Sequence, residues 1–210
     1  YGLQVILYPK FDSKGFPKLF AKYKPNHFSA LADHLKYLAE DPLTKGMNLS
    51  FLISAGVGGD TLNAEMERTV NEYLKRNGCL YEVVKGYGMT ELCATSVISF
   101  RGANAIGSVG VPLVSNTVKI VDMDTGKELR YNQTGEILIS APSAMLGYYE
   151  NQKETNEVLV TDENGTRWVK TGDLGRMNSD GLLFHEGRIR RIYLTTFEGQ
   201  PAKIFPGLIE

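Results

Sequence analysis

The sequence predicts an α/β fold: a partial parallel βαβ sheet followed by a small distorted β-barrel. Three observations predict it. Apolar runs of strand length alternate with stretches of helical period as far as about residue 84. After Gly107 the helical period gives way to short apolar runs between turn residues. Two of those runs flank Asn178-Ser179-Asp180-Gly181, a strong hairpin signal.

Taken in order, Val5, Ile6 and Leu7 read as a short buried strand ended by Pro9. Residues 10–25 carry Asp12, Gly15, Pro17 and Pro25 and read as mostly irregular, with room for one short element. Phe28, Leu31, Leu35 and Leu38 fall at helical spacing, with Asn26 as N-cap and Asp41-Pro42 as the stop. Leu49, Phe51, Leu52 and Ile53 read as a second buried strand, running into the glycine-rich turn Ser54 to Asp60. Asp60 or Thr61 caps a helix bearing Leu62, Met66, Val70, Tyr73 and Leu74, which Gly78 ends. Leu80 to Val84 reads as a third strand, and Lys85 to Glu91 as the loop after it. In the second half, Val118 with Ile120, Gly135 to Ser140, Leu174 to Met177 and Leu182 to His185 read as strands, and Asp124-Thr125-Gly126 as a turn. The texture changes near residues 100–108, which divides the chain into 1–105, 106–188 and a tail, 189–210.

Composition narrows the function. The 210 residues carry a formal net charge of -1, with lysines and arginines scattered, so nothing recruits nucleic acid or an anionic surface. Cys79 and Cys93 belong to no Cys/His cluster, which argues against zinc; they read as reduced, half-buried thiols of a cytoplasmic protein. No apolar run approaches the ~20 residues of a membrane span. The chain starts abruptly, without an initiator methionine or a signal peptide, and reads as a piece of something longer.

Chemistry concentrates in three places. In Gly86-Tyr87-Gly88-Met89-Thr90-Glu91 two glycines bracket an aromatic, after a buried strand, where open α/β sheets bind ligands. Tyr87 can stack on a flat base, Thr90 can bond a phosphate oxygen and Glu91 can hold Mg²⁺; equally, the stretch can be a tight loop around a core tyrosine. In Lys170-Thr171-Gly172-Asp173 the carboxylate can accept both hydroxyls of a ribose, or simply sit in a turn. Gly187-Arg188 offers a guanidinium fork for phosphate or ribose oxygens, or a surface salt bridge; Arg188, Arg190 and Arg191 can also be a solvated basic face.

Together these stretches resemble the adenylate-forming superfamily of acyl-CoA synthetases, peptide-synthetase adenylation domains and luciferases. The resemblance also rests on Gly107-Ser108-Val109-Gly110-Val111-Pro112, Gly135-Glu136-Ile137, Gly147-Tyr148-Tyr149, Thr171-Gly172-Asp173-Leu174-Gly175 and Asp180 to Arg188, and it covers most of residues 48–192. It implies that Tyr87 lies against adenine, Thr90 touches the α-phosphate and Glu91 helps coordinate Mg²⁺. It implies that Asp173 grips the ribose, Arg188 reaches ribose and phosphate, and His185 sits at the nucleotide's edge. Gly86, Gly88 and Met89 complete that loop, and Gly56, Val57 and Gly58 form a second adenine wall, although the text there reads Ser-Ala-Gly-Val-Gly-Gly-Asp where the family more often has Ser-Gly-Gly-Ala-Pro. The resemblance also implies that Gly86 and Cys93 line the acyl pocket. The implied reaction joins a small carboxylic acid to the ATP α-phosphate, then passes the acyl group to coenzyme A or a carrier-protein pantetheine.

The resemblance also implies what this stretch lacks. The family's phosphate loop with its lysine lies upstream of residue 1, and the C-terminal lid with its lysine begins where Lys203 to Glu210 end, so the piece alone is expected to adenylate negligibly. Arg190 stands at the hinge position, where Asp or Lys is usual, and residues 195–201 read as an insertion. Three readings compete: an acid–CoA ligase, an adenylation domain loading a carrier protein, and a nucleotide-binding pseudoenzyme or regulatory module. Intact Thr90, Glu91, Asp173 and Arg188 argue against the last.

Overall fold

A computed structural model describes residues 2–8, 10, 12–59 and 62–189, and the backbone of 193–197 and 200–204. The chain divides into two compact units, residues 1–84 and 85–210. Asp60, Thr61 and Arg190, proposed from sequence as helix cap and hinge, lie outside the described residues.

In the first unit a single 3₁₀ turn, Ser13–Gly15, leads into α1, Phe16–Tyr23, with Pro17 in the first turn where its missing N–H costs nothing. Strand β1 (His27–Ala30), helix α2 (Ala32–Glu40) and strand β2 (Ser54–Val57) follow. β1 and β2 pair in parallel, His27 opposite Ser54 and Ala30 opposite Val57, so the βαβ expectation holds with β1-α2-β2. Helix α3 (Ala64–Arg76) is capped by Asn63, whose side chain accepts from Met66 N. Its buried stripe of Val70, Tyr73 and Leu74 packs with Phe20, Leu35, Leu38, Leu49 and Leu52 into one core. Tyr73 enters that core because its hydroxyl donates to Thr44 O at 2.9 Å; burial pushes its pKa up to about 12.

Several sequence expectations are corrected here. Residues 5–7 form no strand: Val5 and Leu7 are 73% and 83% exposed, and no described strand pairs with them. Phe28 lies on β1, not on the helix, and the Asn26 side chain donates to Phe51 O and caps nothing. The second strand is shifted. Leu49 and Leu52 are buried in a turn, and the supposed glycine-rich turn supplies β2 itself. Likewise Leu80 is 83% exposed, and the strand expected at 80–84 is β3, Val84–Met89, so the supposed loop is mostly strand. In each case an apolar run marked burial correctly, but burial alone does not distinguish a strand from a packed turn. Cys79 is buried and Cys93 exposed, neither half-buried, and both are free thiols.

In the second unit β3, β4 (Ala94–Ile98) and β5 (Val111–Pro112) form an antiparallel meander. A second antiparallel sheet has the order β10-β9-β7-β6, made of β6 (Thr117–Val121), β7 (Gly135–Ser140), β9 (Arg167–Met177) and β10 (Leu183–Arg188). Helix α4 (Gln152–Val158) runs into β8 (Leu159–Thr161), which pairs with the start of β9. Among the described residues β6 and β10 do not pair, so the expected barrel is an open sheet. A separate hairpin joins β11 (Tyr193–Phe197) to β12 (Gln200–Ile204) and takes up most of the stretch read as an insertion.

β7 reads as a near-continuous apolar run because both its faces are covered. Ile137 and Ile139 point into a core with Leu92, Val97, Val169 and Leu183, while Leu138 packs with Trp168 and Val121 on the other side. Full burial of one such isoleucine contributes about 1.5–3 kcal/mol. Lys119 covers the Trp168 ring at 4.0 Å. An isolated bridge, Gly110 to Leu183, stitches the two sheets of this unit together.

Candidate functional site

Two irregularities in the second sheet build the site. Between the pairs Glu136–Leu174 and Leu138–Lys170, three residues of β9 stand against one of β7. Those three are Thr171, Gly172 and Asp173, so the motif is a bulge and not a turn. Thr171 holds it in shape: its hydroxyl donates to Ile137 O at 2.8 Å and accepts from Asp173 N at 3.1 Å.

The second irregularity is on β10, where the register shifts between His185 and Gly187. Residues three apart on a regular strand face opposite sides. The extra residue reverses that parity, so His185 and Arg188 both face Asp173, while Glu186 turns away to Arg176 Nε at 2.9 Å and the Thr134 hydroxyl at 2.7 Å. Gly187 makes the bulge possible: its φ of +128° is open to glycine and costly for any side chain.

The third element is β3, whose step from Tyr87 to Gly88 is met by an extra residue, Ser96, bulged from β4. Gly88 is required there by the protein's own backbone, since a Cβ would lie 1.8 Å from Ala94 O. Tyr87 packs on the core below and donates its hydroxyl to Asp173 Oδ2 at 2.7 Å. Its ring lies 5.5 Å from that of His185, inclined by 37°.

Asp173 is the centre of this cluster and is 3% exposed. Oδ2 has the Tyr87 hydroxyl. Oδ1 has Arg188 Nε at 3.1 Å and His185 Nε2 at 3.7 Å, but no donor aligned for a hydrogen bond among the described residues. Burial alone would push this carboxyl up. The His185 ring, the Tyr87 hydroxyl and the Arg188 charge outweigh it and hold the pKa below its ordinary value, so Asp173 is a carboxylate at neutral pH. Tyr87 moves the other way: burial, then the neighbouring carboxylate, push its phenol far above the ordinary range, and it stays a proton donor.

Thr90 and Glu91 stand just beyond β3, in the 3₁₀ turn Thr90–Leu92. Thr90 is exposed and its side chain makes no hydrogen bond among the described residues. Glu91 Oε1 accepts from the Tyr148 hydroxyl at 2.6 Å. Cys93 and Ala94 follow with φ of +59° and +127°, a sharp bend for residues with side chains. Gly86 and Met89 lie on β3, Met89 against the core. Gly56, Val57 and Gly58 belong to the first unit, the first two on β2 and the third just after it.

The structure therefore joins Tyr87, Asp173, His185 and Arg188, and places Thr90 and Glu91 on the turn following the same strand. Sequence reasoning did not foresee the Tyr87–Asp173 hydrogen bond or any role for Tyr148. The phenol opposite an acid gave no local signal, and Tyr148 was visible only as the centre of Gly147-Tyr148-Tyr149.

A buried, ionised acceptor beside aromatic rings and a guanidinium has the chemistry to receive a polar molecule with a flat part. The chain belongs to the AMP-binding enzyme family, whose model matches residues 1–149. It is 34% identical over 204 residues to "Probable 4-coumarate–CoA ligase 1" of Dictyostelium discoideum, covering 97% of this chain and 36% of that protein. It is 32% identical over 191 residues to a luciferin 4-monooxygenase of Luciola mingrelica, covering 91% of this chain and 33% of that one. The fold matches ATP-bound MatB from Rhodopseudomonas palustris with a TM-score of 0.80 at 24% identity, over 97% of this chain and 38% of that one. The chain thus spans about a third of the length of the curated relatives it matches. Among the described residues no helix is long and apolar enough to cross a membrane.

Proposed function

We propose that this chain carries the nucleotide-binding part of an ATP-dependent acid–thiol ligase that forms an acyl-adenylate and passes the acyl group to coenzyme A. The observation that carries the proposal is Asp173, buried and ionised, with no donor aligned on Oδ1 among the described residues. A buried acceptor in that state is completed by a hydroxyl, and a ribose diol supplies two. Tyr87 and His185 then border the base, and Arg188, 63% exposed in its side chain, is free to swing from Asp173 to a ribose or phosphate oxygen.

Thr90 offers a hydroxyl to the α-phosphate, and Gly86 and Cys93 lie on the acyl side. Glu91 fits Mg²⁺ in one specific sense. Among the described residues no group of three His, Cys, Asp or Glu side chains is placed to hold a metal by itself. A lone carboxylate suits an ion whose remaining ligands are water and nucleotide phosphates. When bound, Mg²⁺ would offset phosphate charge as the bond to pyrophosphate breaks.

In the reaction a carboxylate oxygen of the acid attacks the α-phosphorus and pyrophosphate leaves. The sulfur of the acceptor thiol then attacks the acyl carbon and AMP leaves. The protein's residues move few protons; they position the nucleotide and offset its charge. The relatives named as CoA ligases favour coenzyme A as acceptor over a carrier protein. Because the chain is about a third of its relatives' length, we also propose that these 210 residues alone adenylate negligibly.

Two measurements test this. Calorimetric titration of AMP into the protein should show binding that Asp173→Asn weakens by about tenfold or more, the size expected when a buried charged acceptor is lost. Pyrophosphate release by the full-length parent, across a panel of carboxylic acids with and without coenzyme A, should identify the acid and the acceptor. Equal AMP affinity in Asp173→Asn would overturn the site; rapid ATP–pyrophosphate exchange by the 210 residues alone would overturn the last proposal.

A further inference from the structure

Glu91 is held from a distance. Residues 143–148 make three separate hydrogen bonds onto the turn that carries it. Met145 N donates to Glu91 O at 2.8 Å, the Ser143 hydroxyl donates to Leu92 O at 2.9 Å, and the Tyr148 hydroxyl donates to Glu91 Oε1 at 2.6 Å. The first two fix the backbone of the turn. The third reaches the carboxylate itself, across 57 residues of chain.

Tyr148 is in turn fixed from behind. Its backbone N donates to the Thr155 hydroxyl on α4 at 2.9 Å, and that hydroxyl donates to Asn151 O at 2.9 Å. Arg167 Nη2 donates to Met145 O at 2.8 Å and to Leu146 O at 3.0 Å, tying the same loop to β9. The loop is anchored at two elements, α4 and β9, besides the turn that carries Glu91.

We infer that Tyr148 is a positioning residue for Glu91: it occupies Oε1 and fixes the carboxylate, leaving Oε2 as the oxygen presented to the cation that accompanies the nucleotide. The inference rests on the proposed role of Glu91 in holding Mg²⁺. An unrestrained glutamate has three rotatable bonds to order when it binds a cation, and a hydrogen bond made beforehand removes most of that cost. A hydrogen bond between a phenol and a carboxylate at this length is of the short, charge-assisted kind, strong enough to select one orientation. Tyr148 touches neither the cation nor the nucleotide in this scheme.

The test is Tyr148→Phe, which deletes one oxygen and leaves both backbone anchors of the turn in place. Mn²⁺, a paramagnetic stand-in for Mg²⁺, is titrated against the protein saturated with a non-hydrolysable ATP analogue. Bound metal is read by electron paramagnetic resonance, and AMP affinity without metal is read by calorimetry. We expect Tyr148→Phe to weaken the metal about tenfold, as loss of an outer hydrogen bond to a ligand does, with metal-free AMP affinity unchanged. Glu91→Gln should weaken it further, and Tyr148→Phe should add nothing on top of Glu91→Gln. If Glu91→Gln weakens the metal and Tyr148→Phe does not, the inference fails and the Glu91 reading stands. Metal binding indifferent to Glu91→Gln would sink both. Should Tyr148→Phe weaken metal-free AMP equally, the tyrosine is a structural tie only and the inference is overturned.

Discussion

Replacing Asp173 with asparagine keeps the shape of the side chain and removes its charge, so it measures how far the carboxylate's partners outweigh its burial. The Tyr87 hydroxyl bond at 2.7 Å changes from a charge-assisted bond to a neutral one, a loss of about 1–2 kcal/mol. Arg188 lies at 3.1 Å, but its side chain is 63% exposed, so screening limits its share to about 1 kcal/mol at most. Relief from burying a charge runs against both, and the lowered pKa of Asp173 says that the partners prevail. The net expectation is a destabilisation of about 1–2 kcal/mol at neutral pH, or a fall of about 0.5–1 M in the urea midpoint. Trp168 is the single tryptophan and lies buried on β9, the strand that carries Asp173, so its fluorescence reports on this unit. The sign with pH is fixed. A depressed folded pKa gives stability that is present in full above the unfolded value near 3.8 and is lost as pH falls through the lower folded value. The gap between the two proteins should therefore be constant from pH 7 to about 5 and shrink below about 4. A variant as stable as its parent at pH 7, or a gap that widens in acid, would refute the argument.

Two further substitutions test the backbone around the site. Gly88→Ala places a methyl 1.8 Å from Ala94 O, a clash that only movement of one strand relieves, and should cost about 3 kcal/mol or more in urea unfolding. Ala94→Gly relieves a φ of +127°; strain of about 1–3 kcal/mol less about 0.5–1 kcal/mol for the flexibility of glycine leaves a gain of up to about 2 kcal/mol, seen as a raised urea midpoint. An unchanged or lowered midpoint in Ala94→Gly would show that this bend stores no strain.

What the sequence made legible was set by period and by turn chemistry. Gly135 to Ser140 stood out as a strand because its apolar run is continuous, and the structure covers both its faces. Asn178 to Gly181 marked the β9–β10 turn, where Asn178 Oδ1 accepts from the N–H groups of Asp180 and Leu182. The stripe of Val70, Tyr73 and Leu74 marked α3. The misplacements at β2 and β3 share a cause: both strands contain glycines, which propensity assigns to turns. Those glycines answer to neighbouring backbone, Gly56 to Phe28 O and Gly88 to Ala94 O, and no local pattern reveals such a neighbour. The site was legible as motifs with roles carried by resemblance. The parity reversal at Gly187 that turns His185 and Arg188 to one carboxylate was not, because a bulge is a relation between two strands.

The Tyr87–Asp173 hydrogen bond spans 86 residues, and the Glu91–Tyr148 bond spans 57. Contacts so distant along the chain form late in folding, because the intervening loop must be closed before they contribute. Synthesis at about 5–20 residues per second puts several seconds between the emergence of the tyrosine and that of its acid. A nascent chain halted anywhere in that interval carries most of the first unit's core and the aromatic ring, yet has no carboxylate for a ribose. If Asp173 grips a ribose as proposed, nucleotide rewards only chains that have completed β9, and its binding then doubles as a check on finished synthesis.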